Sequence, residues 1–483
     1  MKRQMITFTA IILALGYIAF LPQMQAVTPP PDGCYPNSTT AEGCKALQSL
    51  TTGVANTAIG WYSLFGTSNG SNNTAVGAGA LDLNTADNNT AVGVAALLLN
   101  TTGTNNTANG VGALVFNNTG EGNTATGAFA LYSNTEGQFN TANGEFALYF
   151  NTTGERNTAI GDSALYFNTE GNRNTAIGNP ALLNNITGSD NTAVGAGALF
   201  LNNGPGNTAV GANALSSNTT GQVNTAVGTG ALNSNIGGGF NTAIGYAAMV
   251  DNDAGTHNTA SGYNVLRLNT SGSDNTAVGD SALFHNTIGG QNAALGESAG
   301  FNQTTGSGNV YIGAGTVGVA GESNACYIAS IFNQTSAMGT QVFINSNNRL
   351  GTSTSSKRFK DDIQPMNAAS DSLFSLTPVT FRYKPDIDPD RREQFGLVAE
   401  DVEKINPDLV VRDKEGKPYS VRYDQVNAML LNEFLKEHRT VQAQQKEIDA
   451  LKQELKDQKA LIDKVTARIG LDTAGPQPVV DKL

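Results

Sequence analysis

The sequence predicts a mainly β fold, in which a long β-solenoid is followed by a small α+β domain that ends in a coiled coil. Three observations support this assignment. The tripeptide Asn-Thr-Ala recurs at a nearly constant interval, the composition changes sharply after Thr354, and apolar residues follow a seven-residue period near the C-terminus. An interval this regular is typical of stacked structural repeats.

Sixteen repeat units can be read in the region 56–318, which we interpret as a rod. Thirteen of the fifteen spacings between units are 17 residues and two are 16. The last two units are degenerate, since Asn-Ala-Ala and Asn-Val-Tyr replace Asn-Thr-Ala. The leading residues are Asn56, Asn73, Asn89, Asn106, Asn123, Asn140, Asn157, Asn174, Asn191, Asn207, Asn224, Asn241, Asn258, Asn275, Asn292 and Asn309.

Each unit contains two short apolar runs separated by turn residues. In the unit that begins at Asn89, the first run ends at Gly93, and the second begins at Ala96-Leu97 and ends at Asn100. Val, Ile and Thr favour strands, whereas the frequent Gly and Asn disfavour helix. We therefore expect two short strands per coil, in a left-handed-type β-roll of about sixteen 17-residue coils. At about 4.8 Å per coil, the rod would be roughly 75 Å long.

The repeat pattern resembles the heads of trimeric autotransporter adhesins, in which Asn/Ser-Val-Ala-Ile-Gly-type repeats form a trimeric β-roll. The resemblance covers Asn56 to about Val317, although the unit is longer here. Each coil offers few apolar residues, so one chain alone would have a thin core. We therefore expect a homo-oligomer, and the Asn rows could form hydrogen-bonded ladders along the axis.

The N-terminus predicts export. Lys2 and Arg3 precede the apolar run Met5–Leu21, and Ala26 offers a small residue for cleavage, so we interpret residues 1–26 as a signal peptide. An uncleaved membrane anchor is the alternative. After signal removal we expect no stable membrane span, and a secreted or cell-surface protein.

The segment 27–55 is expected to be a linker. Export permits disulfides, and Cys34 and Cys44 could close a loop within this linker, leaving Cys326 unpaired. The three histidines are scattered, and no Cys/His spacing suggests zinc. We therefore expect neither a metal nor a cofactor. The net charge of −12 carries no basic excess, so nucleic acid is not an expected partner.

After a β-rich neck at 319–354, residues 355–424 have the charge density of an ordinary domain. Leu376–Asp386 predicts a strand, Glu393–Val411 a strand and a helix, and Lys417–His438 a strand that leads into a long helix.

The region 425–470 continues this helix as a coiled coil, and 471–483 is expected to be disordered. Seven-residue spacing places Val441, Ile448, Leu455, Ile462 and Ile469 at a positions, whereas the d positions hold Gln444, Leu451, Gln458 and Val465. This pattern predicts oligomerisation without deciding between dimer and trimer.

The C-terminal part resembles the endosialidase-type intramolecular chaperone, a self-cleaving C-terminal domain of phage tail fibres. The resemblance rests on Ser355-Ser356-x-Arg358-Phe359-Lys360-x-Asp362-Ile363, on Phe381-x-Tyr383, on Phe395-Gly396-Leu397-Val398-Ala399-Glu400-x-Val402, and on Tyr423 before the terminal helix.

The resemblance implies that this domain trimerises, guides folding of the preceding region, and then cleaves itself off between Thr354 and Ser355. It makes Ser355 the nucleophile and Lys360 its base, a Ser-Lys pair that would act once per chain. The family often has Asp after the serine, where this chain has Ser356, an alternative nucleophile.

Three functions are consistent with the sequence. The first is an exported, trimeric, adhesin-like fibre matured by its own C-terminal chaperone. The second is a structural surface rod with a trimerisation domain that does not cleave. The third is a phage tailspike that binds or degrades glycans, although the rod has no recurrent carboxylate pair for glycosidase chemistry. The sequence does not identify a cell-surface or glycan ligand.

Overall fold

A computed structural model describes residues 38–472, apart from 333, 335–338 and 346. The chain divides into two compact units, Met1–Gln334 and Thr335–Leu483. The expected signal peptide, Cys34 and the expected disordered tail from residue 473 lie outside the described residues. The predicted mainly β fold is confirmed, since the first unit is a parallel β-solenoid and the second holds three small sheets and a C-terminal helix.

The first unit contains one parallel sheet of 18 strands, each three residues long. Every strand pairs with the same three positions of the next coil, as in Thr175↔Thr192. The strands are β1 (Thr40–Glu42), β2 (Thr57–Ile59), β3 (Thr74–Val76), β4 (Thr90–Val92), β5 (Thr107–Asn109), β6 (Thr124–Thr126), β7 (Thr141–Asn143), β8 (Thr158–Ile160), β9 (Thr175–Ile177), β10 (Thr192–Val194), β11 (Thr208–Val210), β12 (Thr225–Val227), β13 (Thr242–Ile244), β14 (Thr259–Ser261), β15 (Thr276–Val278), β16 (Ala293–Leu295), β17 (Val310–Ile312) and β18 (Cys326–Ile328).

The solenoid is longer than the sixteen coils that the Asn-Thr-Ala motif marks. Strand β1 lies in the segment expected to be a linker, and β18 lies in the segment expected to be a neck. Thr39 precedes β1 and Ala325 precedes β18, so neither strand follows an Asn. The flanking coils keep the backbone geometry of the repeat without its leading residue.

The second apolar run of each coil is not a strand, and the expectation of two strands per coil is wrong. This run forms turns in which the Leu residue adopts a left-handed backbone conformation, with φ between 49° and 54° from Leu47 to Leu283. The strain is offset by burial and by hydrogen bonding between coils. Leu165, for example, is fully buried, and its N–H donates to the carbonyl of Ala181 at 3.0 Å.

One chain fills the interior of each coil, which corrects the expectation of a thin core. The inward Ala of strands β2 to β15 and the Leu of most turns are fully buried. Two rows of Asn are buried beside them. Asn134 Nδ2, for example, donates to Asn117 Oδ1 at 2.8 Å and to the carbonyl of Gly137 at 3.0 Å. The Asn rows therefore form the expected ladders, which satisfy buried polar groups that would otherwise be costly.

The glycine after each strand is required by its position. Gly161 has a φ of 130°, and a Cβ atom built on it would lie 2.8 Å from the carbonyl oxygen of Gly178 in the next coil. A side chain here would be strained and would also separate the coils.

The second unit contains short antiparallel pairs and two α-helices. Strands β19 (Val342–Ile344) and β20 (Leu350–Thr352) pair, as do β21 (Val379–Phe381) with β22 (Gln394–Gly396) and β23 (Val410–Arg412) with β24 (Pro418–Val421). The α-helices are α1 (Ala399–Ile405) and α2 (Tyr423–Asp472), and 3-10 helices span Lys357–Phe359, Asn367–Ser375 and Pro407–Leu409.

The core of this unit is small. It consists of Val402, Leu409, Val410, Val421 and Met429. Large apolar side chains nearby are instead exposed, among them Phe374, Phe395 and Phe434.

Candidate functional site

The predicted cleavage segment follows β20 and contains a single tight turn. The 3-10 helix Lys357–Phe359 separates the two serines from Lys360, and its ends are held by backbone bonds from Phe359 N–H to Ser356 and from Lys360 N–H to Lys357. The N–H of Ser356 also donates to Thr354 Oγ1 at 3.4 Å. The segment is therefore held by local contacts.

Neither predicted partner is buried in the single chain. Ser355, Ser356 and Lys360 are all exposed. Among the described residues, no hydrogen bond joins either serine hydroxyl to the Lys360 amine. In the single chain these groups are therefore close in sequence, exposed and not hydrogen-bonded to one another.

Five of the other motif residues, Phe381, Tyr383, Gly396, Leu397 and Tyr423, lie together where β21, β22 and α2 meet. The Leu397 N–H donates to Tyr423 Oη at 2.9 Å, so the first residue of α2 is tied to the strand that precedes α1. A Cβ atom at Gly396 would lie 2.9 Å from that oxygen and 3.2 Å from the Phe381 ring, which explains the glycine. Phe381 also packs edge-to-face on Tyr383 at 5.2 Å. These contacts tie the start of α2 to the sheet of β21 and β22.

A second set of polar side chains, which the sequence interpretation missed, joins the 3-10 helix Asn367–Ser375 to α2. We call Ser370, Asp371, Asn432, Glu433 and Lys436 the Ser370 cluster. The hydroxyl of Ser370, which is fully buried, donates to the Glu433 carboxylate and accepts from Asn432 Nδ2 at 2.6 Å. Lys436 Nζ lies 2.7 Å from Asp371 and 2.7 Å from Glu433.

The Ser370 cluster contains a serine and a lysine, but it is not a nucleophile-base pair. Asp371 and Glu433 raise the pKa of Lys436, which keeps the amine protonated. Lys436 and Ser370 in turn lower the pKa of Glu433. Because a general base must be neutral and a nucleophile must be accessible, the cluster acts as a structural tie.

A stacked array of aromatic rings lies on consecutive coils of the solenoid. The rings of Tyr132 and Tyr149 are 5.0 Å apart, and those of Tyr149 and Tyr166 are 5.3 Å apart. Burial, followed by the neighbouring Tyr132 and Tyr166, raises the pKa of Tyr149 to about 12.

The predicted disulfide stays a prediction, because Cys34 lies outside the described residues. Cys44 is half-buried, and Cys326 is exposed. Within the described part of the chain, no cluster of His, Cys, Asp and Glu side chains has a metal-binding arrangement. No helix within the described ranges combines the length and apolar character needed to cross a bilayer.

Comparison with known proteins identifies one family. Residues 355–411 match the family model described as chaperone of endosialidase. Neither a curated protein nor a solved structure matches the chain. The matched segment begins at Ser355 and ends within β23, so the resemblance expected from the motifs is confirmed: the segment that follows the solenoid unit and β20 is similar to the endosialidase chaperone.

Proposed function

We propose that this chain is an exported, homotrimeric, fibre-like surface protein whose C-terminal domain drives trimerisation and cleaves the chain between Thr354 and Ser355. The observation that carries this proposal is the start of the family match at Ser355, after a solenoid that forms a compact unit of its own. The predicted signal peptide supports export.

The proposed cleavage is an acyl transfer followed by hydrolysis. Ser355 Oγ attacks the carbonyl carbon of Thr354, and Lys360 takes the hydroxyl proton and returns it to the departing Ser355 nitrogen. The peptide bond breaks as an ester forms between Thr354 and Ser355 Oγ. Water then hydrolyses the ester, which leaves a carboxylate on Thr354 and restores the hydroxyl.

Lys360 must be neutral to accept the proton, and burial favours the neutral amine. The single chain leaves Lys360 exposed, so another copy of the chain would supply the burial. Cleavage would therefore await assembly.

The exposed apolar stripe of α2 supports such assembly. Val441, Ile448 and Leu455 lie seven residues apart and are exposed by 49%, 44% and 67%. Leu451 and Val465 occupy d positions on the same seam and are also exposed. Apolar residues at a and d positions are the usual seam of a coiled coil.

Four variants of the full-length chain test the proposed chemistry. We expect wild type to release a fragment that begins at Ser355, and we expect Ser355→Ala and Lys360→Ala to stay intact. Ser353→Ala and Lys357→Ala are the matched controls, and both should cleave. Mass spectrometry of the fragments gives the cut site.

The outcomes separate the open alternatives. A wild-type chain that oligomerises and stays intact would support the non-cleaving rod instead. Cleavage that persists in Ser355→Ala but stops in Ser356→Ala would move the nucleophile by one residue.

A further inference from the structure

The Ser370 cluster has no role in the proposed acyl transfer, yet it is the most enclosed polar contact of the second unit. Ser370 is fully buried, and the Glu433 side chain is only 12% exposed. Asn432 Nδ2 also donates to the carbonyl of Asn367 at 3.1 Å. Three residues of the 3-10 helix, Asn367, Ser370 and Asp371, are thus held by three side chains of α2.

An apolar contact would hold these two helices together at lower desolvation cost. Replacing a buried ionic network by well-packed apolar residues is often neutral or stabilising. Hydrogen bonds, however, have strict directional requirements. The cluster therefore fixes how α2 is rotated about its axis and how far it is shifted along the 3-10 helix.

The 3-10 helix Asn367–Ser375 is also the first element after the cleavage segment that packs against the rest of the unit. Six residues separate Lys360 from Asn367, and the last of them, Met366, packs against the small core. The stretch from Ser355 to Pro365 is exposed throughout. The position of Ser355 and Lys360 relative to α2 is therefore set mainly through the anchor at Met366 and Ser370.

We propose that the Ser370 cluster is a positioning device, which holds the cleavage segment in a fixed relation to α2 so that assembly of α2 aligns Ser355 and Lys360. This inference rests on the proposed self-cleavage. It assigns a function to residues outside the Ser355–Lys360 pair, and it separates forming the oligomer from making the oligomer competent to cleave.

The test measures the cleavage rate constant inside oligomers that have already formed. Full-length oligomers are collected by size soon after assembly, and the loss of intact chain within them is then followed at neutral pH. We expect Ser370→Ala to cleave roughly 10- to 100-fold more slowly than wild type at unchanged oligomer size, since small misplacements of reacting groups cost rates of this order. Glu433→Gln keeps an acceptor for Ser370 and should give an intermediate rate.

Ser375→Ala and Glu437→Gln are exposed controls on the same two elements, and both should cleave at the wild-type rate. Ser370→Ala oligomers that cleave at the wild-type rate would overturn the positioning inference alone. Loss of the oligomer in both cluster variants would also overturn it, in favour of a role in assembly. A wild-type oligomer that never cleaves would overturn the proposed function together with this inference.

Discussion

The two units of the chain differ in how they bury their apolar side chains. In the solenoid, inward Ala and Leu side chains are fully buried by neighbouring coils of the same chain. In the second unit, five residues form the core, whereas Phe395 is 81% exposed and Phe434 is 66% exposed. One chain thus fills the interior of the solenoid, although its outer surface also exposes apolar side chains such as Ile160 and Leu201, whereas the core of the C-terminal unit is small.

This difference bears on the proposed assembly. Exposed apolar surface of this extent typically marks an interaction site. The apolar stripe of α2 and the exposed Phe395 of β22 are therefore where we expect the proposed association of the C-terminal unit.

The largest effect is expected from disrupting the proposed association site on α2. Leu455→Lys places a charge in the proposed seam, and we expect loss of the oligomer and of cleavage together, with no change in solenoid unfolding. Light scattering and fragment mass report the two losses. Gln453→Lys, on the same helix outside the a and d positions, should behave as wild type; equal disruption by both variants would contradict a specific seam.

The solenoid core, which one chain fills, can be tested by truncating one buried side chain. Leu165→Ala should lower the free energy of unfolding by about 2–5 kcal/mol, because the surrounding coils cannot close the cavity. Leu201, which is 42% exposed, provides the control, and Leu201→Ala should change stability by less than about 0.5 kcal/mol. Chemical denaturation measures both. Similar values for the two variants would mean that other chains cover Leu201.

The close approach of neighbouring coils can be tested at a glycine. Gly161→Ala should cost at least about 1–3 kcal/mol, since Ala is strained at this φ and its Cβ would contact the next coil. Gly230 also has a positive φ but has no atom within 4 Å of a built Cβ. Because Asn tolerates this conformation, Gly230→Asn should cost less than about 1 kcal/mol. Thermal unfolding of both variants measures the two stability costs.

The smallest expected effect concerns the tyrosine stack. The pKa of Tyr149 is raised from 10.0 to about 12 in the folded chain, so the folded state favours the neutral phenol. This stabilisation is present below pH 10 and is lost as the pH rises from 10 towards 12. Tyr149→Phe should weaken that pH dependence, measured as unfolding across the same window. An unchanged profile would exclude Tyr149 as its source.

The sequence predicted the features that repeat and missed those that depend on distant partners. The spacing of Asn-Thr-Ala marked the strands, and the ladder of Asn117 and Asn134 followed from it. The left-handed turns at Leu were missed because Leu has no local preference for that conformation. They form only because the next coil bonds them.

The candidate site also depends on contacts that the sequence did not predict. Ser355 and Lys360 were assigned through a resemblance, and their positions in the described structure do not by themselves form a catalytic pair. No sequence pattern predicted the Ser370 cluster, since Ser370 and Glu433 lie 63 residues apart. Only the folded chain brings them together.

The most direct test of assembly-dependent cleavage follows oligomeric state and chain mass in the same fractions of the full-length protein. Fractions are collected over a range of protein concentrations at neutral pH and examined by sedimentation and intact mass. We predict that fragments beginning at Ser355 arise only in oligomeric fractions, at a rate that rises with concentration until assembly is complete. Cleaved chains that arise in monomeric fractions, or oligomers that remain full-length, would contradict it.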